Sequence, residues 1–144
     1  MVDAPGAVNT QTAQDFVNRL GVKQGMVVQE LGWDDDCGTT LSEAIEDAIG
    51  EELLDDETDE LCDVVLLWWR DSDGDLVDGL VDSIRNLADE GRIWLMTPPP
   101  GVDGSVSSGE ISESAQLAGL VQTKSDRFGS FQGSCLVARG NTKK

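Results

Sequence analysis

The chain contains no histidine and no tyrosine among its 144 residues. Without histidine it cannot build a Ser-His-Asp triad, a His-ligated metal site or a His general base. Basic residues are scarce as well, because 10 Lys and Arg stand against 28 Asp and Glu, for a net charge of -18. A protein that binds nucleic acid neutralises phosphates with clustered Lys and Arg. We therefore expect no nucleic acid among its partners.

Apolar runs of membrane-spanning length are also missing from the sequence. The longest run, at 64–69, is far shorter than the roughly 18 residues of a membrane helix. The N-terminal stretch lacks the basic start and the apolar run of a signal peptide. The cysteines form no CxxC pair and indicate reduced thiols, at Cys37, Cys62 and Cys135. We expect a cytoplasmic protein with no membrane partner.

The acidic residues are concentrated in one continuous segment. Residues 30–90 hold 22 acids and two bases, whereas the rest of the chain holds six acids and eight bases. One interpretation is that these carboxylates are solvated faces that aid solubility. The other is a surface that attracts a basic protein partner and repels anions. The charge pattern alone leaves both interpretations open.

Helical and strand-like apolar blocks alternate along the chain. Their spacing predicts helices over 12–20, 41–54, 75–90 and 110–118 and strands over 26–31, 63–69, 92–96, 120–123 and 134–138. Thr40 is the expected N-cap of the second helix, and the third is expected to end at Gly91. The block at 63–69 is apolar without alternation, as in a parallel strand that is covered on both faces.

This order predicts an α/β fold that is Rossmann-like. We expect a mostly parallel sheet of about five strands, three parallel strands plus a C-terminal antiparallel pair, flanked by helices. A single domain is expected over 12–139, with a flexible N-terminus at 1–11 and a disordered tail at 140–144. Ligands and partners of such sheets approach the carboxyl ends of the strands, which here fall at 32–34, 68–70 and 97–99.

Two stretches resemble the class I methyltransferase fold, LGVKQGMVVQELG at 20–32 and LADEGRIWLM at 87–96. The turn at 118–120 is similar to the one before that fold's final antiparallel pair. The cofactor turn of such enzymes needs closely spaced glycines, but Gly32 is followed by no glycine until Gly38. The family's ribose-binding acid ends a second strand, for which this chain has no room. We therefore expect the second and third strands to be missing and no cofactor to be bound.

Three strings resemble a family of small acidic actinobacterial proteins known as a domain of unknown function. They are VQELGWDDD at 28–36, VVLLWWRD at 64–71 and DGDLVD at 73–78. The resemblance implies a cytosolic origin and a gene often found beside the E1 component of pyruvate dehydrogenase. It implies no catalytic residues.

Two acidic strings could hold a metal or perform acid/base chemistry. The string at 71–75 imitates the start of a calcium loop, but its sixth position is Leu76 where glycine is needed. A strand-to-helix turn with Asp75 as N-cap explains the same letters. The adjacent acids Asp34, Asp35 and Asp36 point in different directions on a turn and are expected to be solvated. We assign no catalytic, cofactor-binding or metal-binding residues.

Tryptophan supplies the candidate binding site. Trp68 and Trp94 are expected to fill the core, whereas Trp33 and Trp69 lie on turns and suit a partner surface. The predicted partner-binding residues are Trp33, Asp34, Asp35, Asp36, Trp69, Asp71 and Asp73. We interpret the chain as a non-catalytic regulator of a protein with a basic surface, such as the pyruvate dehydrogenase E1 component. The alternative is a small-molecule sensor, or a residual methyltransferase-like enzyme, with a pocket at the strand ends.

Overall fold

The computed structural model describes residues 10–35, 39–55, 57–128 and 131–138. These residues form four α-helices and five strands. The helices are α1 (Thr10–Leu20), α2 (Thr40–Ile49), α3 (Leu76–Ile84) and α4 (Ser108–Leu117). The strands are β1 (Val28–Leu31), β2 (Cys62–Trp68), β3 (Leu87–Thr97), β4 (Leu120–Phe128) and β5 (Phe131–Ala138). The expected flexible N-terminus and tail fall largely outside the described residues.

The five strands form one mixed sheet in the order β1-β2-β3-β5-β4. β1 pairs with β2 and β2 with β3 in parallel, with Val28 opposite Val64 and Val65 opposite Ile93. β5 inserts between β3 and β4 and runs antiparallel to both. The predicted α/β, Rossmann-like architecture is confirmed.

Helices cover both faces of the sheet. Successive side chains of β2 and β3 point to opposite faces, so each of these strands contributes to two cores. α1 and α2 cover one face, whose core includes Val28, Val64, Leu66, Trp68, Trp94 and Phe128. α3 and α4 cover the other, whose core includes Val65, Leu67, Leu80, Ile93, Leu95 and Leu136. β2 is therefore apolar along its length for the predicted reason, which is that both of its faces are covered.

The end of α2 corrects one predicted boundary. The helix ends at Ile49 and not at residue 54, because Gly50 adopts a left-handed conformation with φ 83° and donates to the Glu46 carbonyl. The N-cap is Thr39, so the predicted cap Thr40 is already helical. After Gly50 the chain reverses its direction, and Leu54 forms a single parallel bridge to Gln29 on the outer edge of β1.

The predicted helix from residue 75 to Gly91 is also too long. α3 ends at Ile84, and Leu87 already belongs to β3. Apolar residues at 84 and 87 fit helical spacing as well as they fit a turn into a strand, so periodicity alone could not separate the two. Leu87 pairs with Cys62 but Arg92 pairs with Val64, so β3 carries extra residues at this point.

The C-terminal hairpin is longer than predicted on both strands. β4 continues to Phe128 and β5 begins at Phe131. The missed part of β4 is mostly exposed and polar, including Lys124 and Ser125. Edge strands carry such side chains because they face water, and this hides them from a search for apolar alternation.

β3 closes the C-terminal end of α1. Arg92 donates from Nη2 to the carbonyls of Leu20 and Gly21 at 3.0 and 2.7 Å. The indole nitrogen of Trp94 donates to the same Leu20 carbonyl at 3.1 Å. The last carbonyls of a helix have no partner within it. These two β3 side chains satisfy the carbonyl of Leu20, the last residue of α1, and fix the helix on the sheet.

We predict that Arg92→Met lowers the free energy of unfolding by about 2–3 kcal/mol, because charge-assisted hydrogen bonds are lost and the Gly21 carbonyl loses its donor. Urea denaturation followed by circular dichroism measures the change. The control is Arg85→Met: Arg85 is exposed and its guanidinium has no ion pair among the described residues. That variant should lose less than about 1 kcal/mol. Equal losses in the two variants would contradict this account of the cap.

Candidate functional site

A cleft of about 600 Å³ opens where β1 and β2 end, on the face of the sheet that α3 covers. Gln29 and Leu31 from β1 and Leu67 from β2 line it from the sheet. The remaining lining residues include Trp33, Asp34, Glu57, Thr58, Asp59, Trp69, Arg70, Asp73, Gly79, Asp82, Arg85 and Asn86. Its position is the one at which α/β sheets bind ligands, and its volume is that of a small-molecule site.

The turn after β1 depends on Gly32. Its φ of 77° lies in the left-handed region, and a β-carbon there would clash with the carbonyl oxygen of Trp68. The turn can therefore lie directly against the end of β2. Trp33 follows at the cleft and is 41% exposed, which is high for so large an apolar side chain.

Trp68, the last residue of β2, and Trp69, which follows it, point to opposite sides of the sheet. Trp68 is 2% exposed and donates from its indole nitrogen to the Glu30 carboxylate at 2.9 Å. Trp69 lies against α3, where Gly79 leaves room for its ring. Trp94 is 0% exposed. Trp68 and Trp94 are thus core residues, as predicted, while Trp69 is half-buried in the cleft.

The acidic residues predicted for the site fall into three groups. Asp34 and Asp73 line the cleft. Asp35 and Asp71 are exposed but do not line it. Asp36 lies outside the described residues, as does Cys37. We use the name cleft rim for the six predicted partner residues that the structure describes: Trp33, Asp34, Asp35, Trp69, Asp71 and Asp73.

Arg70 ties the two strand ends together. Its Nη1 donates to the Gly32 carbonyl at 3.0 Å, and its backbone N–H donates to the Asp73 carboxylate at 2.9 Å. The side chain of Asp75 accepts from the N–H of Val77 at 3.0 Å, which confirms it as the N-cap of α3. The carboxylates of Asp73 and Asp75 in the calcium-like string are therefore used in the strand-to-helix turn. Among the described residues, no group of three or more His, Cys, Asp or Glu could hold a metal ion.

Sequence reasoning missed Gln29, the most unusual residue of the cleft. It is only 3% exposed, and its Nε2 donates to the Asp55 carbonyl at 2.9 Å. Its Oε1 is buried and accepts no hydrogen bond from any residue in the described part of the chain. The sequence signal that could have identified it is a glutamine within a strand of β-branched residues. It lies two positions before Leu31 and therefore on the same face of the sheet as Leu31.

The described lining offers hydrogen-bonding and charged groups but no cysteine, lysine or serine. Cys62 lies elsewhere, fully buried at the start of β2. Burial, followed by the nearby charges of Glu60 and Asp63, raises the pKa of its thiol from 9.0 to about 11. The thiolate is the nucleophilic form of cysteine, so Cys62 is unreactive at neutral pH. Cys62 and Cys135 are free and buried.

No helix in the described part of the chain combines the length and the apolar character needed to cross a bilayer.

Solved methyltransferases have a similar fold. The structure of magnesium protoporphyrin IX methyltransferase from Synechocystis PCC 6803 with bound SAH matches with a TM-score of 0.58 and 14% identity, covering 94% of this chain and 90% of that chain. The CcbJ methyltransferase of Streptomyces caelestis matches with a TM-score of 0.58 and 11% identity, covering 95% and 100%. At such identities the likeness concerns the fold, which is that of Rossmann-like methyltransferases.

The chain belongs to the family described as "Protein of unknown function (DUF3052)", which matches residues 17–140. An uncharacterised protein of Mycobacterium tuberculosis (strain ATCC 25618 / H37Rv) is 50% identical over 125 residues, which are 87% of this chain and 79% of the relative. The predicted resemblance to an actinobacterial family of unknown function is confirmed.

The packing of Trp69 on α3 predicts opposite effects of one substitution at two helical glycines. A β-carbon at Gly79 would lie within 3.0 Å of three indole atoms of Trp69, whereas one at Gly109 in α4 would meet nothing. Gly79→Ala should therefore destabilise the protein by about 1–3 kcal/mol through overpacking. Gly109→Ala should be neutral or stabilise it by up to about 1 kcal/mol.

Urea denaturation with tryptophan fluorescence measures both variants of this pair. Gly79→Ala should also change the native emission, because the Trp69 ring must move. A stable Gly79→Ala protein with unchanged emission would contradict the described packing.

Proposed function

We propose that this protein is a non-catalytic regulatory protein that binds a basic protein partner through the cleft rim. The observation that carries the proposal is Trp33, a large apolar side chain that is 41% exposed at the mouth of the cleft. Exposed aspartates accompany it on the rim. A central aromatic anchor within a polar surround is the usual composition of an interaction hot spot.

Three features favour binding over catalysis. The chain has no histidine, and the described cleft lining holds no thiol, amine or serine hydroxyl. The turn after β1 continues from Gly32 into Trp33, Asp34 and Asp35, which are bulky or anionic where a nucleotide-type cofactor needs close backbone approach. Beyond β1, the described chain supplies only the single bridge at Leu54. These features support a scaffold that has kept a methyltransferase-like sheet for another use.

The acidic rim suits a partner with a basic surface. Charge on a rim steers association over distances of about 8–10 Å at physiological salt. The family resemblance makes the E1 component of pyruvate dehydrogenase the first partner to test, and the proposed role is to modulate that enzyme.

We predict that Trp33→Ala weakens binding to the purified E1 component by about 2 kcal/mol or more, because it removes the proposed anchor. Trp69→Ala should also weaken binding, but it should lower the melting temperature too, because this ring packs on Gly79. Leu61→Ala is the matched control, since Leu61 is 66% exposed and precedes β2 at the opposite end of that strand. Surface plasmon resonance gives affinities, and calorimetric melting shows whether each variant is folded.

Asp34→Asn combined with Asp35→Asn should act on a different quantity. These substitutions should slow association and reduce its salt dependence, with little change in dissociation. A Trp33→Ala protein that melts normally and binds as well as the parent would place the partner surface elsewhere.

The alternative function is a methyltransferase-like enzyme or sensor, and the fold likeness is the observation that favours it. We predict that S-adenosylmethionine, NAD and ATP each bind no more tightly than about 1 mM, because the cleft lacks the turn of closely spaced glycines that all three need. The acidic lining also repels the phosphates of NAD and ATP. Isothermal titration calorimetry measures this. Micromolar binding of any of the three would favour the alternative over the non-catalytic proposal.

A further inference from the structure

The floor of the cleft contains a buried acceptor that no described group satisfies. Gln29 is 3% exposed, and the hydrogen bond from its Nε2 to the Asp55 carbonyl fixes which way the carboxamide points. Its Oε1 consequently has to take a donor from elsewhere, and it has none among the residues that the structure describes. Buried polar groups without partners are rare because they are costly. An N–H or O–H group of a bound molecule would satisfy Oε1.

The charge of the cleft favours a cation as that molecule. Five acidic residues line it, namely Asp34, Glu57, Asp59, Asp73 and Asp82. The opposing bases are Arg70 and Arg85. Arg70 is within 3.4 Å of the Asp73 carboxylate, so its charge is largely balanced locally. A cleft with this excess of carboxylates concentrates cations and repels carboxylates and phosphates.

Two tryptophans add aromatic faces to the acidic lining of the cleft. Trp33 and Trp69 both line the cleft. Indole faces attract ammonium groups, and tryptophan is the strongest of the aromatic side chains in this respect. The volume of about 600 Å³ lies within the range of small-molecule sites. The cleft therefore combines an acceptor, negative charge and aromatic faces in one open site.

We propose that the cleft binds a small organic amine in its protonated form, with an N–H donated to Oε1 of Gln29 and the positive charge held by the tryptophans and the acidic lining. The inference concerns the interior of the cleft and goes beyond partner binding at the rim. A protein whose rim binds a partner and whose interior binds an amine could couple the two, since Trp33, Asp34, Trp69 and Asp73 belong to both surfaces.

The test uses the full chain and three probes of similar size: 1,4-diaminobutane, tetramethylammonium and succinate. NMR of the four indole N–H groups provides a local readout. Titration with 1,4-diaminobutane should shift the signals of Trp33 and Trp69 saturably. That of Trp94 should stay, since this indole does not line the cleft and is hydrogen-bonded to the Leu20 carbonyl. Tetramethylammonium, which has no N–H, should bind at least about tenfold more weakly, and succinate should not bind.

Gln29→Leu should weaken diamine binding about tenfold or more, while Gln116→Leu on exposed α4 should leave it unchanged. Because Gln29→Leu also loses the contact with Asp55 and could unfold, the pair Glu57→Gln with Asp82→Asn serves as a second variant and should weaken binding similarly. Equal binding of succinate, or diamine binding unaffected by these variants, would overturn the proposal. The absence of any saturable shift up to about 10 mM would also overturn it and leave Oε1 to a water molecule. Affinity for the E1 component, measured on the same variants, keeps this result separate from that of partner binding.

Discussion

The structure depends on the close approach of Gly32 to the carbonyl oxygen of Trp68. This contact lets the turn after β1 lie against the end of β2, which only glycine permits with this backbone conformation. The Arg70 guanidinium then spans the two strand ends by donating to the Gly32 carbonyl. Trp33 and Trp69 come to the same cleft as a result. The absence of a side chain at Gly32 thus allows the exposed Trp33 and the half-buried Trp69 to line the same cleft.

The sequence allowed the sheet to be predicted better than the site. β2 was recognisable because a strand buried on both faces must be apolar throughout, and Asp75 because an N-cap has a definite chemistry. The end of α3 was not predicted correctly, because Leu87 fits both the helical and the strand periodicity. The polar half of β4 was not predicted, because Lys124 lies on a solvated edge. Four of the seven predicted partner residues line the cleft: Trp33, Asp34, Trp69 and Asp73. The sequence shows Gln29 as a polar residue in a β-branched strand, but it could not show the unsatisfied acceptor, because that depends on the folded surroundings of the side chain.

The outer edge of β1 shows how the fold differs from a complete methyltransferase-like sheet. The bridge at Leu54 pairs one residue with Gln29, and the acidic loop follows immediately. In place of further strands, Glu57, Thr58 and Asp59 form a wall of the cleft, held by the bond from Asn86 to the Thr58 carbonyl at 2.7 Å. Within the described residues, the short connection between α2 and β2 therefore both limits pairing on the outer edge of β1 to one bridge and supplies a wall of the cleft.

The cap on α1 has a consequence for the order in which the nascent chain can fold. The Leu20 carbonyl receives its donors from Arg92 and Trp94, which lie 72 and 74 residues further along. α1 leaves the ribosome early, but an isolated helix of 11 residues is marginal in water. It must wait until β3 has been synthesised, and its apolar face waits for Phe128 as well, which meets Phe16 at 5.6 Å between ring centroids. α1, the first helix in the described part of the chain, is thus among the last elements to reach its final place.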